Sequence, residues 1–451
     1  MNKKSLSKKS RGGNMNNNNC EINITPKMSR ADEPVSIKIS GLLKNEKVTI
    51  RVVSNDYYCI NTSIRKVGDN TLWDAYATFI ADEYGNIDLV NTTPIDGTYK
   101  TCNEMGLFYS MKVKENHRGK LMQKLSDISE NRKYTITCTV ERNGKAITSK
   151  EHIRIFCDET IKSVDVVENN LLARYFTSKN NMKRPVVIVV SGSDGRIEKA
   201  QAIAEILAMK GYSALAVCYF GLEGTPKNLN CVPLEYIENA ITWLKKQDTV
   251  NKDKIAMYGR SKGGEMVLLA ASLFKDITCV IANMPSCYAY EGIKMGGLPA
   301  HHSSWMYKGE EISCLKFSCS IILQLVIKML QNKEGALSWM YKKLIDEGNT
   351  DEAIIAVNKI NGPILMISSE SDSIWPSKMH SEMAMKLLEK SNFKYEYKHI
   401  TYEKSGHMLT VPFQSMPSLK GSRVDIDSWA KANIDAWNET INFLENWAIN
   451  N

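Results

Sequence analysis

The stretch that decides the fold runs from Ile255 to Gly264 and reads Ile-Ala-Met-Tyr-Gly-Arg-Ser-Lys-Gly-Gly. Its apolar start predicts a short strand, and the helical spacing of Glu265–Ser272 predicts a helix directly after it. A serine that attacks carbonyl groups must stand on a turn so sharp that side chains two positions before and after it would collide. Gly259 and Gly263, which flank Ser261 at this distance, have no side chains. The pattern therefore predicts a nucleophilic serine between a strand and a helix.

The same turn offers half of a site for a developing negative charge. The backbone N–H of Lys262 faces the position of an oxyanion, and the N-terminus of the following helix favours negative charge. A Gly-x-Ser-x-Gly pattern also occurs by chance, so a glycine-rich turn with an unimportant serine is the alternative. The strand before Ser261 and the helix after it favour the catalytic interpretation.

Length and composition indicate a globular protein of two or three domains. The chain has 451 residues, of which 43% are hydrophobic and 24% are charged. The net charge of +8 does not predict a nucleic-acid partner, because five cationic residues stand in a leading segment with no acid before Glu21. These five are Lys3, Lys4, Lys8, Lys9 and Arg11.

The leading residues and the cysteines predict a cytoplasmic location. Residues 1–20 contain no apolar core of the kind that a signal peptide needs, and we expect a disordered basic tail there. Eleven cysteines stand singly, without the spacing of a zinc site, which is typical of a reducing compartment. We expect no metal and no cofactor. Adjacent histidines seldom point at one metal, so His301 and His302 are predicted to be surface residues.

Alternating apolar and polar residues dominate the chain from Ile22 to Phe156. The alternation is clearest in Val35–Ile39, Val48–Val52, Tyr134–Val140 and Ile153–Ile155. This period is typical of strands with one buried face, and turn residues such as Asn143-Gly144 separate the segments. About seven or eight such strands predict an immunoglobulin-like sandwich of two sheets over residues 21–157. No set of residues with catalytic chemistry stands in this half.

From residue 158 onward, apolar strands alternate with amphipathic helices. The predicted strands include Val186–Val190, Ala214–Val217, Ile255–Tyr258, Val280–Ala282, Ile364–Ile367 and Tyr395–Ile400, and the predicted helices include Ile197–Lys210 and Leu234–Lys246. A run that is apolar throughout, such as Val186–Val190, is typical of a parallel strand buried on both faces. The alternation predicts a doubly wound, mostly parallel sheet over residues 158–451.

An inserted segment, residues 286–361, interrupts this rhythm. It contains two predicted helices, Ser318–Asn332 and Ala336–Glu347. The first holds the longest apolar run, Ile321–Ile327, which is far shorter than the roughly 20 residues of a membrane span. We therefore expect a buried helix and no membrane span. The insertion lies where a cap over a substrate would sit, and plain packing elaboration is the alternative.

Two further residues complete a catalytic set. A serine with an ordinary pKa needs a histidine to take its proton and a carboxylate to orient that histidine. Asp372, with Glu370 as the weaker competitor, follows one predicted strand, and His407 follows the next in a Gly-His pair. Either residue alone could be a solvated loop group. In the order serine, acid, histidine, however, Ser261, Asp372 and His407 match the catalytic triad of α/β hydrolases.

The loop after the first central strand offers the second oxyanion donor. It is the glycine-containing stretch Ser191–Gly195, whose backbone N–H groups can approach a ligand closely. We favour the Ser193 amide, with the Asp194 amide next. Asp194 as a metal ligand has no cluster of partners nearby.

At this point the residues resemble a known family, that of acyl-CoA thioesterases and bile acid-CoA:amino acid N-acyltransferases. The resemblance runs from about Ile24 to Trp447. It is carried in the first half by Trp73–Asp82, Gly85–Leu89 and Met105–Met111, and in the second by Ala216–Phe220, Thr225–Leu229 and Pro233–Tyr236. The resemblance implies an α/β hydrolase preceded by a β-sandwich domain, with acyl-CoA as the substrate.

The resemblance also implies a mechanism, namely hydrolysis of a fatty acyl-CoA thioester through an acyl-Ser261 intermediate. His407 would deprotonate Ser261, Asp372 would orient His407, and the amides of Lys262 and Ser193 would hold the oxyanion. The amino-acid-conjugating members typically carry cysteine as the nucleophile, so the serine favours water as the acyl acceptor. The oxyanion loop is less glycine-rich than expected of the family, and we expect the Asp194 side chain to point outward.

Three other functions stay open. An acyltransferase would pass the acyl group from Ser261 to an amine such as glycine or taurine. A serine esterase or peptidase would act on another carbonyl, because the turn does not identify the leaving group. A binding protein could use the sandwich as an interaction module, although the complete triad argues against it.

Overall fold

The computed structural model describes residues 20–55, 60–61, 71–115, 121–168, 170–294, 297–331, 335–347, 350–416 and 424–450. Apart from Cys20, the predicted basic tail lies outside these residues. Within these described residues, the N-terminal half contains ten strands: β1 (Glu21–Thr25), β2 (Met28–Arg30), β3 (Ser36–Ser40), β4 (Lys47–Asn55), β5 (Leu72–Ile80), β6 (Ile87–Asp88), β7 (Asp96–Gly97), β8 (Lys112–Glu115), β9 (Lys133–Arg142) and β10 (Lys145–Ile155). A short helix, α1 (Gly106–Tyr109), and a 3-10 turn, Leu125–Asp127, lie between them.

These strands form two sheets that share one core. The smaller sheet has the order β1-β3-β6, and the larger has the order β2-β10-β9-β4-β5-β7 with β8 paired to β5. Every second side chain of β4, including Val48 and Val52, is buried, as the alternation predicts. Asn143 and Gly144 have φ of 50° and 74° and form the tight turn between β9 and β10. The prediction of two sheets is confirmed. Strands β2, β6 and β7 have only two or three residues each, which is too few for an alternation of apolar and polar residues to be recognised.

The C-terminal half contains the remaining elements. The strands are β11 (Ile161–Glu168), β12 (Leu171–Ser178), β13 (Arg184–Val190), β14 (Ser213–Val217), β15 (Val232–Pro233), β16 (Val250–Arg260), β17 (Ile277–Asn283), β18 (Glu291–Ile293), β19 (Pro299–Ser303), β20 (Trp305–Tyr307), β21 (Glu310–Glu311), β22 (Ile364–Ser369) and β23 (Tyr397–Tyr402). The helices are α2 (Glu198–Met209), α3 (Glu235–Lys245), α4 (Lys262–Leu273), α5 (Cys319–Leu330), α6 (Ala336–Glu347), α7 (Ser377–Lys390) and α8 (Ile426–Asn450), with a 3-10 turn at Val357–Lys359.

Eight of these strands build the central sheet, in the order β11-β12-β14-β13-β16-β17-β22-β23. Strand β12 is antiparallel to both neighbours, and the strands from β14 to β23 are parallel. Helices α2 and α8 pack on one face of the sheet, and α3, α4 and α7 pack on the other. Because both faces are covered, the buried part of β13, Val186–Val190, is apolar throughout. The predicted α/β-hydrolase fold is confirmed.

The segment inserted between β17 and β22 contains the two predicted helices, α5 and α6. The prediction that the first of them is buried is wrong. Only Ile321 and Leu325 of α5 are buried, whereas Leu323 and Leu330 are 62% and 79% exposed. The helix packs with one side on α6 and the hydrolase core, and no layer of the described chain covers its outer side. None of the helices in the described residues is long and apolar enough to cross a membrane.

The two halves meet through a continuous apolar core and buried polar pairs. The hydroxyl of Tyr109 donates to Asp427 at 2.6 Å, and the indole N–H of Trp437 donates to Asp32 at 3.1 Å. Asp32 also pairs with Lys210 at 2.8 Å. Since buried polar atoms need partners, these contacts hold the sandwich against α2 and α8 in one orientation.

Candidate active site

Ser261 stands on the predicted turn between β16 and α4. Its backbone has φ of 58° and ψ of −123°, a conformation that an L-residue rarely adopts. A Cβ on Gly259 would lie 2.2 Å from the carbonyl oxygen of Gly263, and a Cβ on Gly263 would lie 2.4 Å from that of Ser191. Both glycines are therefore required by close backbone approach. The N–H of Ser261 donates to the carbonyl of Asn283 at 2.9 Å, which ties the turn to β17.

The structure brings Asp372 and His407 together. His407 Nδ1 lies 2.8 Å from Asp372 Oδ2 and 3.0 Å from Oδ1, and both side chains are buried. Asp372 Oδ1 also accepts the backbone N–H groups of Ile374 and Trp375. The competitor Glu370 instead pairs with Lys378 at 2.5 Å. With Nδ1 engaged by the carboxylate, the imidazole has Nε2 left for the serine.

The loop that carries His407 is fixed by packing, not solvated. A Cβ on Gly406 would lie 2.4 Å from the ring of Trp429, so the glycine allows the close approach of this indole. The indole N–H of Trp429 donates to the carbonyl of Met408 at 3.0 Å. The side-chain amide of Asn283 donates to the carbonyl of Leu409 at 2.6 Å. Asn283 thus connects the serine turn to the histidine loop.

Ser261 is 8% exposed, and its hydroxyl makes no hydrogen bond to the rest of the described chain. The serine–histidine contact of a triad is thus not closed in this structure. Such contacts are often long in ligand-free enzymes and tighten when the substrate binds.

The loop Ser191–Gly195 is held beside the serine by a tyrosine that the sequence reasoning missed. The hydroxyl of Tyr219 lies 2.7 Å from the carbonyl oxygens of both Ser191 and Gly192. A Cβ on Gly192 would lie 3.2 Å from that of Ser261, which shows how closely loop and serine approach. Tyr219 lies in Ala216–Phe220, one of the stretches that carry the family resemblance. Nothing else in the sequence indicated that this residue has a role at the site.

Both candidates for the second oxyanion donor lie at the cavity that contains Ser261. Ser193 and Asp194 line it, and their backbone N–H groups have no partner in the described chain. The Asp194 carboxylate pairs with Lys199 at 2.6 Å and lies 3.8 Å from Arg260. Burial raises the pKa of this carboxyl, but the cations Lys199 and Arg260 outweigh it and hold the pKa below its ordinary value.

Lys262 contributes more than the predicted backbone amide. Its buried ammonium lies 2.9 Å from both carboxylate oxygens of Glu265 and donates to the Ser304 hydroxyl at 2.8 Å. Glu265 also accepts the indole N–H of Trp305 at 2.7 Å. Burial disfavours both charges, so it lowers the pKa of Lys262 and raises that of Glu265. The pair ties the serine helix to the insertion, and the spacing of three residues was its only sequence signal.

A cavity of about 860 Å³ opens above Ser261. The insertion forms one of its walls with Phe317, Ile322, Leu325, Leu337, Met340 and Tyr341. Leu121 and Gln123 of the sandwich half also line it, as does Trp375, whose ring lies 6.1 Å from that of His407. The insertion therefore lines the same cavity as Ser261.

One group of potential metal ligands occurs in the described chain. Cys231, His302 and Glu311 place ligand atoms within 4.8 Å of one another. His302 Nδ1 lies 2.5 Å from Glu311, and both residues are exposed and outside the lining of the cavity. His301 is 71% exposed and lies 3.6 Å from another acid, Glu291. As predicted, the adjacent histidines lie at the surface, and each faces its own carboxylate.

Two family models match the chain in succession. The acyl-CoA thioester hydrolase/BAAT N-terminal region matches residues 32–168, and the BAAT/acyl-CoA thioester hydrolase C terminal matches residues 232–450. The chain belongs to this acyl-CoA thioester hydrolase/BAAT family. The recognition made from the sequence is thereby confirmed, and the protein is a hydrolase of the acyl-CoA thioesterase class with an α/β-hydrolase fold.

Relatives of this family match over nearly the whole chain. Acyl-coenzyme A thioesterase 3 of Mus musculus is 25% identical, with 92% of this chain and 91% of that protein covered. Peroxisomal succinyl-coenzyme A thioesterase of Mus musculus is 22% identical, with 92% and 93% covered. Acyl-coenzyme A thioesterase 2, mitochondrial, of Rattus norvegicus is 25% identical, with 92% and 86% covered. A solved Pyrobaculum calidifontis esterase is 14% identical with a TM-score of 0.41, covering 64% of this chain and 86% of that chain.

Proposed function

We propose that this enzyme hydrolyses fatty acyl-CoA to fatty acid and CoA through an ester on Ser261. The proposal rests above all on the pairing of His407 with Asp372, 35 residues apart in sequence and 2.8 Å apart in space. Ser261, in its strained backbone conformation, lines the cavity together with Trp375, whose ring lies 6.1 Å from that of His407. The chain also belongs to the acyl-CoA thioester hydrolase/BAAT family. That combination matches the requirements of nucleophilic acyl transfer.

In the acylation step, Ser261 Oγ attacks the thioester carbonyl carbon while His407 Nε2 takes its proton. Asp372 keeps the other imidazole proton on Nδ1 and stabilises the imidazolium that forms. The carbonyl oxygen gains negative charge, for which the amides of Lys262 and Ser193 are the proposed donors, with Asp194 as the alternative second donor. The carbon–sulfur bond then breaks, and CoA leaves with the proton from His407.

In the deacylation step, water replaces CoA. His407 takes a proton from the water molecule, whose oxygen attacks the ester carbonyl, and the same amides hold the second oxyanion. The fatty acid leaves, and Ser261 Oγ regains its proton from His407. Ser261 supports water as the acceptor, because the resemblance associates amino-acid conjugation with cysteine at this position.

We further propose a division of labour along the chain. Residues 21–157 form the supporting sandwich and 158–451 the catalytic unit, with 286–361 as its cap and 1–20 as a tail. The two family models support this division, because one matches residues 32–168 and the other matches residues 232–450. We propose a cytoplasmic location, on the composition and single cysteines.

Ser261→Ala tests the proposal with lauroyl-CoA as substrate. We expect wild-type enzyme to release CoA without any added amine, and the variant to lose about a thousand-fold or more in kcat. Ser126→Ala, which changes an exposed serine of the sandwich half, serves as the matched control and retains full turnover. Full turnover by Ser261→Ala would overturn the serine mechanism. A product that forms only with glycine or taurine present would favour acyl transfer over hydrolysis.

A further inference from the structure

The cavity above Ser261 has two chemically different walls. The wall from the insertion, α5 and α6 with Phe317 before them, is apolar and aromatic. The other wall comes from the loops 193–196 and 220–228 and from residues 293, 294, 297 and 299, and it carries most of the charged groups that line the cavity. A ligand that fills this cavity must therefore combine an apolar part with a charged part.

Two lysines of the charged wall are free to bind an anion. Lys227 and Lys294 are exposed, and neither has an acidic partner in the described residues. Asp194 and Lys262, which also line the cavity, are already neutralised by Lys199 and Glu265. The lining contains one further acid, the exposed Glu223.

Arg196, which also lines this wall, adds an unsatisfied donor. Its side chain is 6% exposed, and Nε and Nη2 both bind Glu198 Oε1, at 2.8 and 2.7 Å. Its Nη1 is buried and has no hydrogen-bond partner in the described chain. Its backbone has φ of 58° and donates to the carbonyl of Phe220 at 2.8 Å, which holds the residue at the cavity. A buried N–H without a partner is costly unless a ligand supplies the acceptor.

We propose that Arg196, Lys227 and Lys294 form the binding site for the phosphate groups of CoA, while the acyl chain lies against α5 and α6. This inference rests on the proposed function and adds the orientation of the substrate. Guanidinium and ammonium groups are the side chains that bind phosphate oxygens best, and an apolar wall suits a hydrocarbon chain. Ser261 lines the cavity that both walls share, where the thioester must lie.

The test compares two substrates that share one acyl group, lauroyl-CoA and the phosphate-free lauroyl-N-acetylcysteamine. For Lys227→Glu and Lys294→Glu we expect KM for lauroyl-CoA to rise about five-fold each, with a weaker effect in high salt. The kinetic constants for lauroyl-N-acetylcysteamine should not change. Glu223→Gln should lower KM for lauroyl-CoA only, because it removes the opposing charge.

Lys252→Glu is the matched control, since Lys252 is exposed near the start of β16, the strand that ends at the serine turn. We expect this variant to have unchanged kinetic constants for both substrates. An unchanged KM for lauroyl-CoA in both lysine variants, or an equal rise for both substrates, would overturn the phosphate site. Failure of the hydrolase mechanism is a separate result, because it would show as full wild-type turnover of lauroyl-CoA in Ser261→Ala.

Product inhibition tests whether the phosphate groups of CoA contribute to binding. CoA should inhibit the wild type more strongly than pantetheine, and Lys227→Glu should reduce this difference. Inhibition by CoA and pantetheine at equal concentrations would contradict the proposal. Inorganic phosphate serves as the probe for the anion alone. It should inhibit the wild type more strongly than Lys227→Glu, and equal inhibition of the two would also contradict the proposal.

Discussion

The ammonium group of Lys262 and the carboxylate of Glu265 form a buried ion pair beside Ser261, the proposed nucleophile, with both oxygens 2.9 Å from Nζ. Lys262 follows the serine directly, and its side chain reaches Ser304 in the insertion. The residue whose backbone amide is the proposed oxyanion donor therefore also contacts the inserted segment. A substitution of either Lys262 or Glu265 should therefore lower both the stability and the turnover.

We expect Glu265→Gln to lower the free energy of unfolding by about 3 kcal/mol or more, because Lys262 is left charged and buried without a carboxylate to balance its charge. The double variant Lys262→Met, Glu265→Gln should recover a large part of this loss, since no buried charge remains. Urea unfolding of the two variants and of Lys262→Met alone measures the coupling. Equal losses in Glu265→Gln and the double variant would argue against a stabilising ion pair.

Asp372→Asn tests the choice of the triad acid. An amide at this position favours the wrong imidazole tautomer of His407, and we expect kcat to fall by about 10⁴-fold with little change in stability. Glu370→Gln is the control, because Glu370 faces Lys378. Steady-state kinetics with lauroyl-CoA decides, and a larger loss in Glu370→Gln would reverse the assignment.

Glu205 predicts a pH-dependent stability. This carboxyl is fully buried at the contact with the sandwich half and accepts the backbone and side-chain N–H groups of Asn131, both at 2.9 Å. Burial raises its pKa from 4.5 to about 7. Protonation is thus favoured in the folded state, so stability should fall as the pH rises from about 4.5 to 7 and stay reduced above that.

Glu205→Gln removes this penalty. We expect the variant to be more stable than the wild type by about 3 kcal/mol at pH 8, with the difference vanishing near pH 4. Urea unfolding at a series of pH values measures it. A difference between the variant and the wild type that does not change with pH would show that Glu205 does not titrate in this range.

Met340→Trp probes the apolar wall of the cavity. Met340 lies on α6 and is buried, so a larger side chain should shorten the space for an acyl chain. We expect kcat/KM for palmitoyl-CoA to fall about ten-fold relative to octanoyl-CoA. Leu330→Trp, on the exposed end of α5, is the control and should leave the chain-length profile unchanged. Equal losses on both substrates would place the acyl chain elsewhere.

Local patterns in the sequence were sufficient for the main elements and the order of the candidate site residues. The patterns correctly predicted the strands around Val48 and Val186. They also correctly predicted the turn at Ser261 and the loops that carry Asp372 and His407. The hydrophobic periodicity, the turn residues and the order of the site residues depend on near neighbours in the sequence. They can therefore be recognised without a structure. Strands of two or three residues, such as β2 and β6, have no measurable period and were missed.

Only the tertiary structure decided how distant segments meet. It exposed one side of α5, although the apolar run predicted a buried helix, because burial depends on which elements cover a surface. It brought Tyr219 to the loop Ser191–Gly195, Asn283 to the loop of His407, and Trp429 to Gly406. Each of these contacts joins residues far apart in the chain, and no local pattern encodes their distance. The sequence alone determined that a serine, an acid and a histidine follow the right strands, whereas folding determined which groups hold them in place.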